Sequence, residues 1–418
     1  MSIKTKFFRA AAVLISVAAV TASAADWPGW HGADRTNKSK ETGLLKQWPK
    51  EGPKLIWTAS GLGDGYSSVS TSGGVVFSAG VKEKVNYVSA FDRAGKLLWE
   101  TAAGPSWDGA RASWARQYSG ARSTPSVDGG IVYYLSDTGL LVALDAKTGE
   151  TKWNLNIREK YAAEVPLYGY SESPLIVGDK LYVTAYGSKA GALCLNKNTG
   201  DVIWASTPVN GEAGYASLIM AENSGYKQLI STTAISVFAI DAETGKHLWT
   251  VPLKNSRDNN CTDAIYHDGH VLVSTGYGRG TILIKLEKKD KDVTAKKVYD
   301  IKLMDNHHGG VILHNGHVYG SGHESRGWFC LDFKTGRQVW RHSTGKGSIT
   351  FADGMLYLYD ENGTMALVKA DPAAFAEVSS FKVPEGGKGP HWARPVVSNG
   401  ILYVRHADKL YAYDIKAK

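Results

Sequence analysis

One tract recurs along this chain and limits what it can fold into. Its clearest copies read VSAFDRAGKLLW (88–99), VALDAKTGETKW (142–153), LCLNKNTGDVIW (193–204), FAIDAETGKHLW (238–249) and FCLDFKTGRQVW (329–340). Each is an alternating apolar run, an Asp or Asn, a tight turn ending in Gly, and a strand that stops on Trp. Alternation is the period of a strand, and Gly supplies the left-handed turn residue. A unit repeated at a fixed period buries its apolar face by stacking on its neighbours. Short strands at even spacing, joined by Gly turns, predict an all-β closed array and not a parallel α/β sheet.

The Asp position recurs at Asp92, Asp145, Asn196, Asp241, Glu287, Asp332, Asp371 and Asp414, with the fifth and seventh copies degenerate. The outer-strand aromatics are Trp99, Trp153, Trp204, Trp249, Tyr299, Trp340 and Phe381, which we read as packing devices between neighbouring units. The last copy (410–418) stops before its Trp strand, whereas Trp57 has no upstream copy. Joining the two ends completes the set and removes two exposed strand edges. The expected architecture is therefore an eight-bladed β-propeller of four-stranded antiparallel blades over 53–418, closed by an N-terminal strand in the C-terminal blade. In the second blade the strands are expected near Ser123–Val127, Ile131–Leu135, Leu140–Asp145 and Thr151–Asn154.

These tracts resemble the PQQ-like repeat (ALDxxTGxxxW) across essentially the whole chain beyond its leader. The strings GYSSV (65–69), GYSESPL (169–175), NHHGGVIL (306–313) and WARPVV (392–397) are similar to a secreted bacterial branch of BamB-like propellers. The resemblance implies the fold. It leaves function open between quinoprotein dehydrogenases and non-catalytic scaffolds such as BamB.

The first 24 residues read as a secretory signal peptide: Lys4, Lys6 and Arg9, an apolar core from Ala10 to Val20, and a small-residue cleavage site at Ala22-Ser23-Ala24. Export to the periplasm or beyond is expected. No Cys lies near the cut, so no lipid anchor is expected, and no other apolar stretch reads as a transmembrane segment. Residues 25–52 read as an N-terminal arm packing on the body. The formal charge of +8 includes the three basic leader residues, and no basic stripe with interleaved aromatics points to nucleic acid. The Lys/Asp run from Glu287 to Lys297 reads as a solvated hairpin tip. Cys194, Cys261 and Cys330 are an odd number, and the first and last occupy equivalent places three copies apart, so no disulfide framework is expected.

A propeller offers one natural site, the mouth of its channel where the innermost strands begin. The aligned starts place there Tyr66, Arg122, Ser171, Tyr215, Cys261, His308, Lys346 and Trp392. Two residues further on come Ser68, Thr124, Ser173, Ser217, Asp263, Gly310, Ser348 and Arg394. Glu172, His307, His391, Arg116 and Tyr118 lie in or beside these starts. The hydroxyl residues read equally well as caps of strand ends lining a wet channel. The charged and aromatic members differ from blade to blade, which favours a ligand site, with Arg122, Arg394 and Lys346 for an anion and Tyr66, Tyr215 and Trp392 as flat faces. His307-His308 is a sharp doublet. Neighbours on a strand point opposite ways, so a metal would need one of them plus Glu172, Asp263 or His391 from other blades, and we assign none.

No Gly-x-Ser-x-Gly elbow, phosphate loop or Cys-x-x-Cys-His haem motif is present. Two function classes remain. One is a BamB-like binding scaffold taking a small molecule or a protein at the mouth. The other is a dehydrogenase of alcohols or sugars holding PQQ and Ca²⁺, with groups of the required kinds at Arg122, Arg394, Lys346, Glu172, Asp263 and Trp392. Polysaccharide hydrolysis would need Glu172 and Asp263 to face one another across a sugar.

Overall fold

In the computed structural model, which describes residues 26–417 except Ala110, Ser224, Asp290 and Lys291, the repeats form eight sheets of a ring. The expected leader lies outside the described residues. Blades one to seven span 70–105, 126–156, 175–205, 219–252, 265–301, 311–342 and 347–382, each an antiparallel four-stranded meander. Blade eight is built from both chain ends. Lys54–Ala59 pairs with Lys409–Asp414, placing Trp57 opposite Ala412, and Ile401–His406 and Val396–Ser398 complete the sheet. The fold is the expected eight-bladed propeller.

Contacts explain why Gly and Trp recur together. Four tryptophans dock on the turn glycine of the next blade and donate to a carbonyl in that turn. Trp57 Nε1 donates to Arg93 O at 2.8 Å, Trp99 to Ala146 O at 3.1 Å, Trp153 to Lys197 O at 2.9 Å and Trp204 to Ala242 O at 3.2 Å. The matching glycines, among them Gly95, Gly149, Gly200 and Gly245, have φ of 74–80°. A Cβ on Gly149 would lie 2.7 Å from the Trp99 ring. Trp249 departs from this pattern, as do Trp340, which donates to Asp371 O where the turn has no glycine, and Phe381, which has no donor. The neighbour of Trp249, blade five, has the long hairpin Gly280–Lys289 and Asp292–Ile301 in place of the tight turn, and Trp249 donates to Gln228 Oε1 at 2.8 Å instead.

In blade two the strands run Ser126–Asp128, Ile131–Leu135, Leu140–Asp145 and Thr151–Asn156. The innermost strand starts later than expected because the residues before it bond to the next blade and not along their own sheet. Ser68 N donates to Thr124 Oγ1, Thr124 N to Ser173 Oγ, Ser173 N to Ser217 Oγ and Ser217 N to Asp263 Oδ1, all at 2.7–3.0 Å. Three hydroxyls and the Asp263 carboxylate thus link blades one to five, and satisfy backbone N–H groups that burial strips from water. All three cysteines are free, with Cys194 and Cys330 buried.

The N-terminal arm packs against the body along the innermost strands. At the end opposite the mouth, Thr71 N donates to Trp27 O and Val127 N to Pro28 O, both at 2.7 Å. Lys38–Ser39 then adds a parallel strand to Phe351–Ala352. Between these anchors the arm reaches inward. Trp30 and His31 meet Asp263 of blade five, and Arg35 donates to the carbonyls of Ser173 and Pro174 in blade three and Leu218 in blade four. Lys38 Nζ donates to Leu313 O of blade six and Glu41 accepts from Gly400 N of blade eight. The arm thus touches all eight blades. Beyond it, Trp48 packs on Tyr357 and Phe381 between blades seven and eight.

Candidate functional site

The loops that lead into the innermost strands bring one group of side chains to the mouth. Trp392 stacks on Tyr118 (5.7 Å, 19°) and leans on Tyr66 (5.0 Å) and His308 (4.8 Å). The Trp392 indole N–H donates to Glu361 Oε1 at 2.7 Å. Glu361 Oε2 holds Lys346 Nζ at 2.9 Å, and Lys346 also bonds His323 Nδ1 at 3.1 Å. On the other side Tyr168 packs edge-on against Tyr118 and Tyr215. Tyr215 and Tyr277 are held at positive φ (75° and 59°), a strained conformation for bulky residues that cluster at sites. Arg122 lies over Tyr66 with its Cζ 5.5 Å from the ring, and its guanidinium donates to the carbonyls of Tyr118 and Tyr168. Burial pulls its pKa down, and no carboxylate pairs with it within the described residues. The mouth is thus a half-buried cup with aromatic walls and a guanidinium satisfied only by neutral oxygens.

Eight of the thirteen expected site residues meet in this cup: Tyr66, Tyr118, Arg122, Tyr215, His307, His308, Lys346 and Trp392. The other five do not. Arg116 sits exposed on the short 3₁₀ helix Ser113–Tyr118 and donates to Asp108 O. His391 is buried between blades seven and eight, stacked on His406 at 3.5 Å and hydrogen-bonded to Tyr359 Oη. Burial and the neighbouring His406 press its pKa down to about 4. Glu172 is 2% exposed behind the wall, bonded to Ser171 N, and burial pushes its carboxyl up to about 7. Asp263 and Arg394 lie deeper in the channel, against the arm. Tyr168, Tyr277, His323 and Glu361 line the cup although the alignment of strand starts passed over them. They sit on loops at the other end of the second strands or on connections, and only the recurrence of Tyr beside Gly (Tyr168-Gly169, Tyr277-Gly278) marks them in sequence.

The histidine doublet also departs from expectation. Residues 305–310 are not strand, so alternation does not apply, and His307 Nδ1 and His308 Nδ1 come within 3.3 Å of each other. His307 Nε2 bonds Tyr277 Oη at 3.1 Å. Burial, together with His323 and Lys346, lowers the His307 pKa to about 3, so this cluster is neutral at pH 7. Cys261 donates to His307 O, and burial pushes its thiol up to about 12, which leaves it a poor nucleophile.

The acidic groups do not form a Ca²⁺ shell. Ca²⁺ takes six to eight oxygens, usually with several carboxylates. Asp263 already accepts from Ser217 N and Trp30 Nε1, both at 2.7 Å. Glu172 faces Thr184 and Tyr186 behind the wall. No group of three His, Cys, Asp or Glu converges among the described residues. The aromatic faces and Arg122 are the kinds of group a flat anion would contact, and no carboxylate shell for Ca²⁺ stands beside them among the described residues.

A ring of eight four-stranded blades, a Trp-on-Gly seam and a basic aromatic mouth define a PQQ-type β-propeller. The chain belongs to the family described as outer membrane protein assembly factor BamB, whose profile matches residues 84–342. It is 25% identical over 302 residues to the outer membrane protein assembly factor BamB of Yersinia pestis, covering 68% of this chain and 71% of that one. It is 29% identical over 145 residues to a quinoprotein ethanol dehydrogenase of Pseudomonas putida, a match that covers 32% of this chain and only 23% of the relative. Among solved structures, the quinohemoprotein alcohol dehydrogenase of Comamonas testosteroni shares the fold (TM-score 0.63, 14% identity, 94% of this chain and 81% of that one). No helix among the described residues is long and apolar enough to cross a membrane.

Proposed function

We propose that this protein is an exported, non-catalytic binding propeller whose cup takes a flat or ring-shaped anion, or the acidic side chain of a protein partner. The observation that carries this reading is the pairing of Arg122 with carbonyls alone, under aromatic walls, while the carboxylates that chemistry would need are engaged elsewhere. A guanidinium so placed recognises a carboxylate without first breaking an ion pair. Aromatic faces at Trp392, Tyr118 and Tyr66 add ring contact.

The likeness to quinoprotein dehydrogenases supports a second reading, PQQ- and Ca²⁺-dependent oxidation of alcohols or sugars. One experiment separates the two. PQQ is titrated into the purified protein with and without Ca²⁺, and both melting temperature and dye-linked alcohol oxidation are followed. The binding reading expects a saturable shift with PQQ or with another aromatic carboxylate, independent of Ca²⁺ and without turnover. Arg122→Ala should abolish that shift. Turnover that requires Ca²⁺ would establish the dehydrogenase, and no shift with any anion would remove the cup as a binding site.

A further inference from the structure

The arm and the channel wall enclose a charge that the protein itself leaves unbalanced. Arg394 is 4% exposed. Its guanidinium stacks on Trp30, with Cζ 4.4 Å from the ring, and Nη2 donates to His308 O at 3.2 Å. Nε and Nη1 have no acceptor. Room for the group is made by Gly310, where a Cβ would run into Nη2. A second guanidinium, Arg35, is directed at the Ser173, Pro174 and Leu218 carbonyls. Among the described residues, Asp263 is the one carboxylate whose charge acts on both arginines, and its oxygens accept from Ser217 N and Trp30 Nε1. His31 beside it is neutral at pH 7, with Nε2 also unpartnered. Two buried cations therefore face one buried anion. A buried arginine with two unfilled donors is strongly disfavoured unless a counter-charge accompanies it.

We propose that the channel holds a single small anion against Arg394 Nε and Nη1, below the cup, with Trp30 of the arm as the opposite wall. Its chemistry is that of a halide or of a one-carbon carboxylate: one negative charge, and little bulk beside a guanidinium already flanked by Trp30 and His308. The site exists only because the arm occupies the channel, since Trp30 both fixes the Arg394 plane and engages Asp263, which would otherwise be free to neutralise it. It is distinct from the cup's cation, because Arg122 shares no hydrogen-bond partner with Arg394, although His308 borders both.

The test starts from the full mature chain in a buffer whose only anion is a bulky sulfonate. Chloride, bromide or formate is titrated in at constant ionic strength while melting temperature and tryptophan emission are read. The expected result is a saturable rise of several degrees with chloride, bromide and formate, and an emission change that disappears in Trp30→Phe. Arg394→Met should lose the melting shift, and Arg122→Ala should keep it. If only formate acts, the carboxylate form of the site is favoured over the halide form. If Arg394→Met does not fold, a bromide derivative of the unaltered protein decides, because an anomalous peak beside Arg394 Nη1 at hydrogen-bond range supports the site. No saturable response to any of the three ions, or a response that survives Arg394→Met, overturns the proposal.

Discussion

The indole N–H of Trp30 donates to the buried carboxylate of Asp263 at 2.7 Å, joining residues 233 positions apart across the channel. This bond ties the N-terminal arm to the wall and occupies one oxygen of Asp263. It also explains how Asp263 tolerates burial. Burial alone raises its pKa, and the nearby Arg35 and Arg394, Ser217 N and Trp30 act against that rise.

Trp30→Ala should therefore destabilise the fold by about 3 kcal/mol, combining a cavity at a large aromatic with a carboxylate stripped of a donor. Trp30→Phe keeps most of the volume and should cost about 1–2 kcal/mol. Urea unfolding of both variants measures the two terms. An arm that merely rests on the body would give near-zero values for both.

The Trp-on-Gly seam makes a sharper demand. Gly149 has φ 77° and lies against Trp99. Gly149→Ala must adopt a left-handed conformation and push a ring aside, which together cost about 2–4 kcal/mol. The same change at Gly129, which also has positive φ but open space around it, should cost only the conformational part, about 1–2 kcal/mol. Equal losses at the two sites, read from thermal melts, would show that the ring contact does not matter.

Ring closure makes a third demand. Lys54–Ala59 and Lys409–Asp414 are partners in one sheet, so deleting 410–418 leaves an unpaired edge strand and opens the ring. The truncated chain should lose its cooperative melt and aggregate, which light scattering and near-UV dichroism would report. A soluble chain with an unchanged melt would mean that closure contributes little.

Glu172 predicts a pH effect with a definite sign. Its folded-state pKa is raised to about 7 from an ordinary value of 4.5, mainly by burial. Between those values the folded protein holds a proton that the unfolded chain has released, so stability falls as pH rises through this window and the penalty is complete above about 7. Glu172→Gln has no such proton. Relative to the natural protein it should gain about 2–3 kcal/mol between pH 5 and pH 8. Buried histidines such as His391, whose pKa is lowered, act in the opposite direction and are common to both proteins, so the difference isolates Glu172.

The histidine doublet shows where a local rule fails. His307 and His308 were expected on opposite faces because strand neighbours alternate. Met304–Gly310 instead leave the sheet, with Asn306 donating to Ser321 O and the two imidazoles turned together. Glu172 kept strand-like alternation and turned away behind the wall, whereas Ser173 faces its neighbour blade. Whether a residue before a strand obeys the strand's period depends on what its backbone bonds to, and here those partners are residues on other blades.

The repeat alone determined the propeller. Period-two apolar runs, a left-handed glycine and an aromatic four residues later are local requirements, so each copy carries its own instructions, and the missing half-copies at the two ends predicted their joining in one blade. Only the tertiary structure decided what fills the channel and which mouth residues share a cup. Those outcomes rest on contacts between Trp27–Glu41 and eight separate blades, and on side chains gathered from loops tens to hundreds of residues apart. Such contacts have no period and leave no signature in any window of the chain; they exist only once the ring has closed around its own N-terminus.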